Sequence, residues 1–155
     1  IRACQKSKYN IIPWVSTENE EIKQLVLKYG AKVHDRDPAL SEDHIFKQEV
    51  IRSAAKYIFN NEGKSDIVIS LQANSPQIKA EQLDNAIEIL LKYERDEVFS
   101  VDKNLMQNAA FRIFKSDYVF QKDLSTNCGV VVCDLFDVHT LEDIEKLEEK
   151  NNEKT

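Results

Sequence analysis

Cysteine, histidine, glycine and basic charge are all scarce in this 155-residue sequence. Its three cysteines, Cys4, Cys128 and Cys133, contain no C-x-x-C pair. That excludes a disulfide scaffold, points to a reducing compartment, and makes the thiols read as inert filler. Three histidines, His34, His44 and His139, argue against a zinc site. Only three glycines occur, and none precedes Gly30. No apolar run approaches the ~18–20 residues of a bilayer span. No signal-peptide pattern opens the sequence, so the expectation is no membrane span and a cytoplasmic location. Asp and Glu number 27 against 21 Lys and Arg, a net charge of −6. A nucleic-acid backbone favours the opposite sign, so no nucleic-acid partner is expected. A metal-chelated nucleotide is different, because the cation neutralises much of its charge.

What is present suits one packed domain. Hydrophobic residues make up 42% of the chain, enough for a core at a length near the single-domain mode. Residues 11–16 are apolar and end in the polar turn Ser16-Thr17-Glu18-Asn19, a strand feeding a helix N-terminus. Ile22, Leu25, Val26 and Tyr29 then follow helical spacing as one buried stripe, and Gly30 stands where a C-terminal cap belongs. Residues 31–33 read as a short strand. After a turn-rich loop over 35–43, Phe46, Val50, Ile51, Ala54, Ile58 and Phe59 share a helix face. The β-branched run 67–71 reads as a strand covered on both sides. Leu83, Ala86, Ile87, Leu90 and Leu91 mark another helix; 97–101, 111–114 and 129–133 read as strands. A last helix starts near Thr140, with Asp143 in its capping pattern, and 149–155 form a charged tail. The stretch 102–127 is the least regular and reads as an arm or a dimer-forming excursion.

Strands alternating with helices predict right-handed βαβ units in one open, mostly parallel sheet, with a single domain over 1–148. In such sheets ligands sit outside the carboxyl ends of the strands. Three polar loops fall there: Ser16-Thr17-Glu18, residues 72–76, and the region around Asp137.

The loops carry more than their polarity. Val15-Ser16-Thr17-Glu18-x-x-Glu21-Ile22, Tyr29-Gly30-Ala31, Arg36-x-Pro38-x-Leu40-Ser41-x-Asp43, Leu71-Gln72-x-x-Ser75-Pro76 and Asp137-Val138-His139-Thr140-x-Glu142-Asp143 form an ordered series. Each is common alone; together, in this order, they resemble the acylneuraminate cytidylyltransferase family over residues 1–148. The resemblance implies a three-layer, Rossmann-like, glycosyltransferase-A-like fold. It implies transfer of CMP from CTP to an acidic ulosonic sugar with release of pyrophosphate, dependence on magnesium or another divalent cation, and a homodimer.

It also implies roles, each with a plainer alternative. Asp137 matches the first aspartate of the family's D-I-D metal motif and is the catalytic and metal candidate; the alternative is a cap of the last helix. His139 stands where the second aspartate would be, a poorer magnesium ligand but a candidate sugar contact. Asp134 is close by and reads as a strand-end surface residue. Gln72 matches a sugar-contacting glutamine, and its amide can donate and accept at once. Asn74 and Ser75 line the same loop, and Pro76 fixes the turn. Lys79 stands near a family arginine that pairs with the sugar carboxylate, as a point charge without the bidentate fork. Arg36 matches the arginine that reads cytosine, with Ser16 and Thr17 beside it on the nucleotide side; the alternative is an ion pair with Asp35 or Asp37. Eleven residues on, where the family carries a serine, stands Lys47. Asp43 reads as a cap of the helix from His44 onward.

The family opens with a strand and a basic, glycine-rich phosphate loop, whereas residues 1–8 resemble the end of the helix that follows it. The expectation is therefore an N-terminal βα unit missing from this chain, leaving an unpaired edge in the sheet. Two readings of different class stand: a cytidylyltransferase seen as a fragment, and a non-catalytic α/β module that kept the fold and lost the chemistry. Octulosonate cytidylyltransferases are a sibling possibility, although residues 72–76 lack their Q-G-D-E-P wording. A phosphoacceptor receiver domain is rejected, because no acidic pair follows the first strand and the 67–71 run ends in Gln72.

Overall fold

A computed structural model describes residues 1–42, 44–122 and 125–152. Asp43, expected as a helix cap, and the end of the charged tail lie outside the described residues. The elements in chain order are α1 (Arg2–Lys6), β1 (Trp14–Thr17), α2 (Glu20–Lys28), β2 (Lys32–Asp35), α3 (Lys47–Glu62), β3 (Ile67–Leu71), α4 (Ala80–Lys92), β4 (Glu97–Val101), β5 (Gln107–Lys115), β6 (Cys128–Val132) and α5 (Leu141–Asn152). Short 3-10 turns cover Pro38–Ser41 and Ser116–Phe120.

Local chemistry accounts for the helix ends. The Asn19 side chain caps α2 by accepting from the Ile22 backbone N–H at 3.0 Å, while Glu20 and Glu21 face the positive helix end. Gly30 closes that helix at φ 72°, a left-handed position that glycine takes without Cβ strain. The Asp143 carboxylate accepts from the backbone N–H groups of His139 and Thr140, both at 3.0 Å, and starts α5. These bonds hold the Asp143 carboxyl below its ordinary pKa.

The strands form two sheets. β1 and β2 pair in parallel, and a four-stranded sheet runs in the order β3-β5-β4-β6. β4 and β6 are parallel, whereas β5 lies antiparallel to both β3 and β4. The expectation of one sheet is corrected to two, and the larger one is mixed. Three strands of the larger sheet point the same way, and β5 is the one reversed. Only Asp102 to Met106 separate β4 from β5, too few residues for a crossover. The Asp102 carboxylate accepts from the backbone N–H groups of Asn104 and Met106 and turns the chain there. Residues 102–127, expected as an arm, thus supply an internal strand.

Helices cover both faces of the larger sheet, giving the three layers of an α/β fold. On one face Leu83, Ala86, Ile87 and Leu90 of α4 are buried against Val98, Phe111, Ile113 and Val131, with Cys4 of α1 joining them. On the other, Ala55 of α3 meets Phe114 and Val119. Burial pushes the Cys133 thiol up to about 11, consistent with a filler role. Three burial expectations fail. β3 is a half-buried edge strand, since it pairs with β5 alone. Of the α2 stripe only Val26 is buried; Leu25 is 53% exposed, because the helix packs mainly on β1 and β2. Phe46 is also exposed and precedes α3 rather than sharing its inner face.

Candidate functional site

The common direction of β3, β4 and β6 brings their C-terminal ends to one rim. β3 continues into Gln72, whose backbone N–H donates to the Ala110 carbonyl at 2.9 Å. The loop then turns through Ser75, whose N–H donates to the Gln72 carbonyl. Ser75 is 2% exposed, and its hydroxyl donates to Asp137 Oδ1 at 2.5 Å. The Val138 N–H donates to the Asn74 carbonyl at 2.8 Å, and the Phe136 N–H to Gln77 Oε1 at 3.2 Å. Three bonds thus stitch the loop after β3 to the segment after β6, and Gln72, Asn74, Ser75 and Asp137 share one place.

Gln72 Oε1 is the buried side-chain atom left without a hydrogen-bond partner among the described residues. An orphaned acceptor is costly in a folded protein, and a ligand hydroxyl would relieve it. Strand alternation places Gln72 on the sheet face of Ser70, which pairs with Arg112 on β5. Arg112 donates from Nε to Glu97 Oε1 at 2.5 Å and from Nη1 to Gln48 Oε1 at 3.3 Å. Glu97 is 5% exposed, so a buried carboxylate holds the half-buried guanidinium against the start of α3.

Lys47, the first residue of α3, lies within the fields of Arg112 and Asp137. Desolvation, with the Arg112 charge adding to it, lowers its pKa despite the opposing pull of Asp137. Lys47, Gln48, Glu97 and Arg112 were not among the expected site residues. The available signals were Lys47 at the family's serine position and a charged residue inside the apolar run around Phe111 and Phe114.

The remaining expected residues are held elsewhere. Ser16 Oγ is 2.9 Å from Nδ1 of the buried His34, whose pKa burial lowers. Thr17 is buried and its hydroxyl accepts from the Asn19 N–H. Arg36 donates from Nε and Nη2 to Glu18 Oε2, at 2.9 and 2.5 Å, and depresses the Glu18 pKa. Its ion-pair partner is therefore Glu18, not Asp35 or Asp37; Asp35 pairs with Lys23 instead. Among the described residues no hydrogen bond or ion pair joins this group to the Gln72–Asp137 group. Lys79 is exposed at the start of α4, and exposed His139 contributes its backbone N–H to the α5 cap. Asp134 lies on the surface 4.0 Å from Lys103. Two shallow concavities around Asp66 and Lys115 lie at the opposite end of the sheet.

Among the described residues no three His, Cys, Asp or Glu side chains gather as a metal centre. Asp137 offers one carboxylate beside the Ser75 hydroxyl. That fits a magnesium ion, which takes one or two carboxylates and completes its shell with water and substrate phosphates.

A family model described as cytidylyltransferase matches residues 1–124, a span that stops short of Asp137. N-acylneuraminate cytidylyltransferase A of Danio rerio is 37% identical over 101 residues, covering 65% of this chain and 23% of that protein. N-acylneuraminate cytidylyltransferase of Oncorhynchus mykiss is 34% identical over 101 residues, covering 65% and 22%. The chain thus spans less than a quarter of the length of the curated relatives it matches. A CMP:2-keto-3-deoxy-manno-octonic acid synthetase solved in complex with CTP superposes with a TM-score of 0.73 at 12% identity, covering 99% of this chain and 86% of that one. A cytidylyltransferase from Leptospira borgpetersenii gives 0.65 at 14%, covering 95% and 71%. Both show the same fold.

Proposed function

We propose, from the premise that this chain belongs to the cytidylyltransferase family, that its protein joins CMP from CTP to the anomeric hydroxyl of an acidic ulosonic sugar and releases pyrophosphate. The observation that supports this best is the pairing of an orphaned Gln72 carbonyl with a serine-held Asp137 at one rim. The names of the Danio and Oncorhynchus relatives favour an N-acylneuraminate as the sugar. The octulosonate reading draws on a likeness of fold alone.

The reaction is a substitution at the α-phosphorus, so positioning and charge stabilisation carry most of the work. Gln72 accepts from a sugar hydroxyl, and Asn74 and Ser75 shape the loop beneath it. Ser75 orients the Asp137 carboxylate. Asp137 would hold magnesium, which when bound supplies charge stabilisation to the phosphate oxygens. Arg36 has Nη1 left for the cytosine carbonyl, since Nε and Nη2 are taken by Glu18. Ser16 and Thr17 keep the β1 end in shape for the nucleotide, and Lys79 and His139 flank the sugar. The proposal extends to a cytoplasmic homodimer; Val130, Val132, Leu105 and Met106, exposed at and beside the β6 edge, support the pairing.

The test is pyrophosphate release by the protein in its complete reading frame, supplied with CTP, magnesium and either N-acetylneuraminate or 3-deoxy-manno-octulosonate. Release with one sugar is expected. No release with either refutes the enzyme and leaves a non-catalytic module.

A further inference from the structure

We propose that Asn108 is a positioning residue: through a strained bulge in β5 it fixes Gln72 and Asp137 relative to each other beneath the rim. The inference rests on the cytidylyltransferase reading of that rim and adds the residue that sets its geometry.

The bulge is long for its partner strand. Phe99 of β4 pairs with Arg112 and Val101 with Gln107, so residues 108–111 of β5 face Ser100 alone. Ser100 is fully buried, and its hydroxyl stands in for the ladder there. It accepts from the Phe111 N–H at 3.1 Å and donates to the Phe111 carbonyl at 3.3 Å. Within the bulge Ala109 stands at φ 57°. That is the left-handed region, costly for a residue with a Cβ and out of place inside a strand. The other non-glycine residues at positive φ among the described residues, Glu94 and Leu105, lie in the turns after α4 and β4. Strain of this kind persists only where the surroundings hold it, and it gathers at functional sites.

Asn108 does the holding. Its Oδ1 accepts from the Ala110 N–H at 3.3 Å and closes the kink around Ala109, while its Nδ2 donates to the Cys133 carbonyl at 2.5 Å. Both ends of the amide are engaged, which fixes its orientation. Each bond leads to one half of the site. The Ala110 carbonyl accepts from the Gln72 N–H, where the chain leaves β3. The Cys133 carbonyl also accepts from the Leu135 N–H at 3.0 Å, the turn by which the chain leaves β6 towards Asp137. Cys133 is buried and its own N–H donates to the Val101 carbonyl at 2.7 Å, so this anchor is part of the sheet. The bonds from Ser75, Phe136 and Val138 tie the two loops to each other; Asn108 ties both to the sheet below. A reaction that depends on placement needs that second tie, since a shift of about 1 Å can cost a hundredfold in rate.

Asn108→Asp keeps the acceptor for the Ala110 N–H and loses the donor to Cys133. Amide hydrogen exchange on the full chain reads the tie directly. The Phe136 and Val138 N–H groups are expected to exchange at least about tenfold faster, with the amides of α2 unchanged. No acceleration at Phe136 and Val138 overturns the proposal, as does equal acceleration throughout the chain. In the active enzyme, kcat per folded molecule is expected to fall at least about tenfold while KM for CTP stays within about twofold. Faster exchange with unchanged kcat assigns Asn108 to the fold alone and overturns the proposal; a lower kcat without faster exchange overturns it too. If Asn108→Asp does not fold, Asn108→Ser, too short to reach Cys133, is read by the same criteria. Failure of both to fold makes Asn108 a folding residue and sinks the proposal. An unsubstituted protein that never releases pyrophosphate sinks the parent reading instead, and exchange still decides whether Asn108 fixes the rim.

Discussion

Removing the Ser75 hydroxyl separates what Asp137 does for the fold from what it does for chemistry. Ser75 is 2% exposed and donates to Asp137 Oδ1 at 2.5 Å. A hydrogen bond to a charged group contributes about 1.5–3 kcal/mol. Asp137 is half-buried, so water partly replaces the lost donor and the low end applies, about 1.5 kcal/mol. With a urea dependence of about 2 kcal/mol/M, the midpoint of Ser75→Ala should fall by roughly 0.75 M. Trp14 is the single tryptophan and sits on β1 against Tyr57, away from the substitution, so its fluorescence reports global unfolding. Asp137→Asn keeps an oxygen for Ser75 to donate to, so its stability loss should stay within about 1 kcal/mol. Its rate of pyrophosphate release should nevertheless drop at least about a hundredfold, a barrier increase of about 2.7 kcal/mol. An unmoved midpoint in Ser75→Ala would show that the bond is idle. Equal losses of rate and stability in Asp137→Asn would make Asp137 a structural residue and remove the site's centre.

Arg112→Met strands the buried Glu97 charge and should cost about 3–5 kcal/mol, while the Glu97→Met, Arg112→Met double variant should recover much of that. Urea midpoints around the cycle decide it, and additive losses contradict the pairing. Gly129→Ala would set a Cβ 2.9 Å from Ile89 Cγ2 and 3.2 Å from Val98 Cγ2, and should cost about 1–3 kcal/mol by overpacking in the same assay. His34 has its pKa lowered by burial, so the folded chain holds it neutral while the unfolded chain takes up a proton below about pH 6.5. Its contribution to stability should be complete above that pH and lost as pH falls through the lower folded value. Midpoints at pH 7.5 and 5.5 should therefore differ more in the parent than in His34→Gln; equal differences refute the assignment.

Local pattern carried the reading as far as local forces act. Asn19 at a helix start, Gly30 at a helix end and the α4 stripe of Leu83, Ala86, Ile87 and Leu90 all follow from short-range rules, and all are present. The α2 stripe shows the limit: helical spacing marks a face able to be buried, but burial needs a second surface, and Leu25 has none here. The site divides the same way. Loop chemistry pointed to Gln72, Ser75 and Asp137, yet the bond between Ser75 and Asp137 spans 62 positions and exists because β3 and β6 end at one rim. Arg112 was hidden for a related reason. A guanidinium in an apolar strand looks like an interruption until β4 is laid beside β5 and Glu97 comes into reach, so residues 102–127 read as irregular when their irregularity was half of a cross-strand pair. Strand direction was legible and missed. Period-two alternation has no arrow, but a five-residue connection does: Asp102 to Met106 cannot carry a chain back across a sheet, so β5 had to run against β4. Its reversal lets β5 separate β3 from β4 in the sheet while the loops after β3 and β6 still open on the same side. The antiparallel strand therefore inserts Arg112 beneath the rim without disturbing the convergence of Gln72 and Asp137.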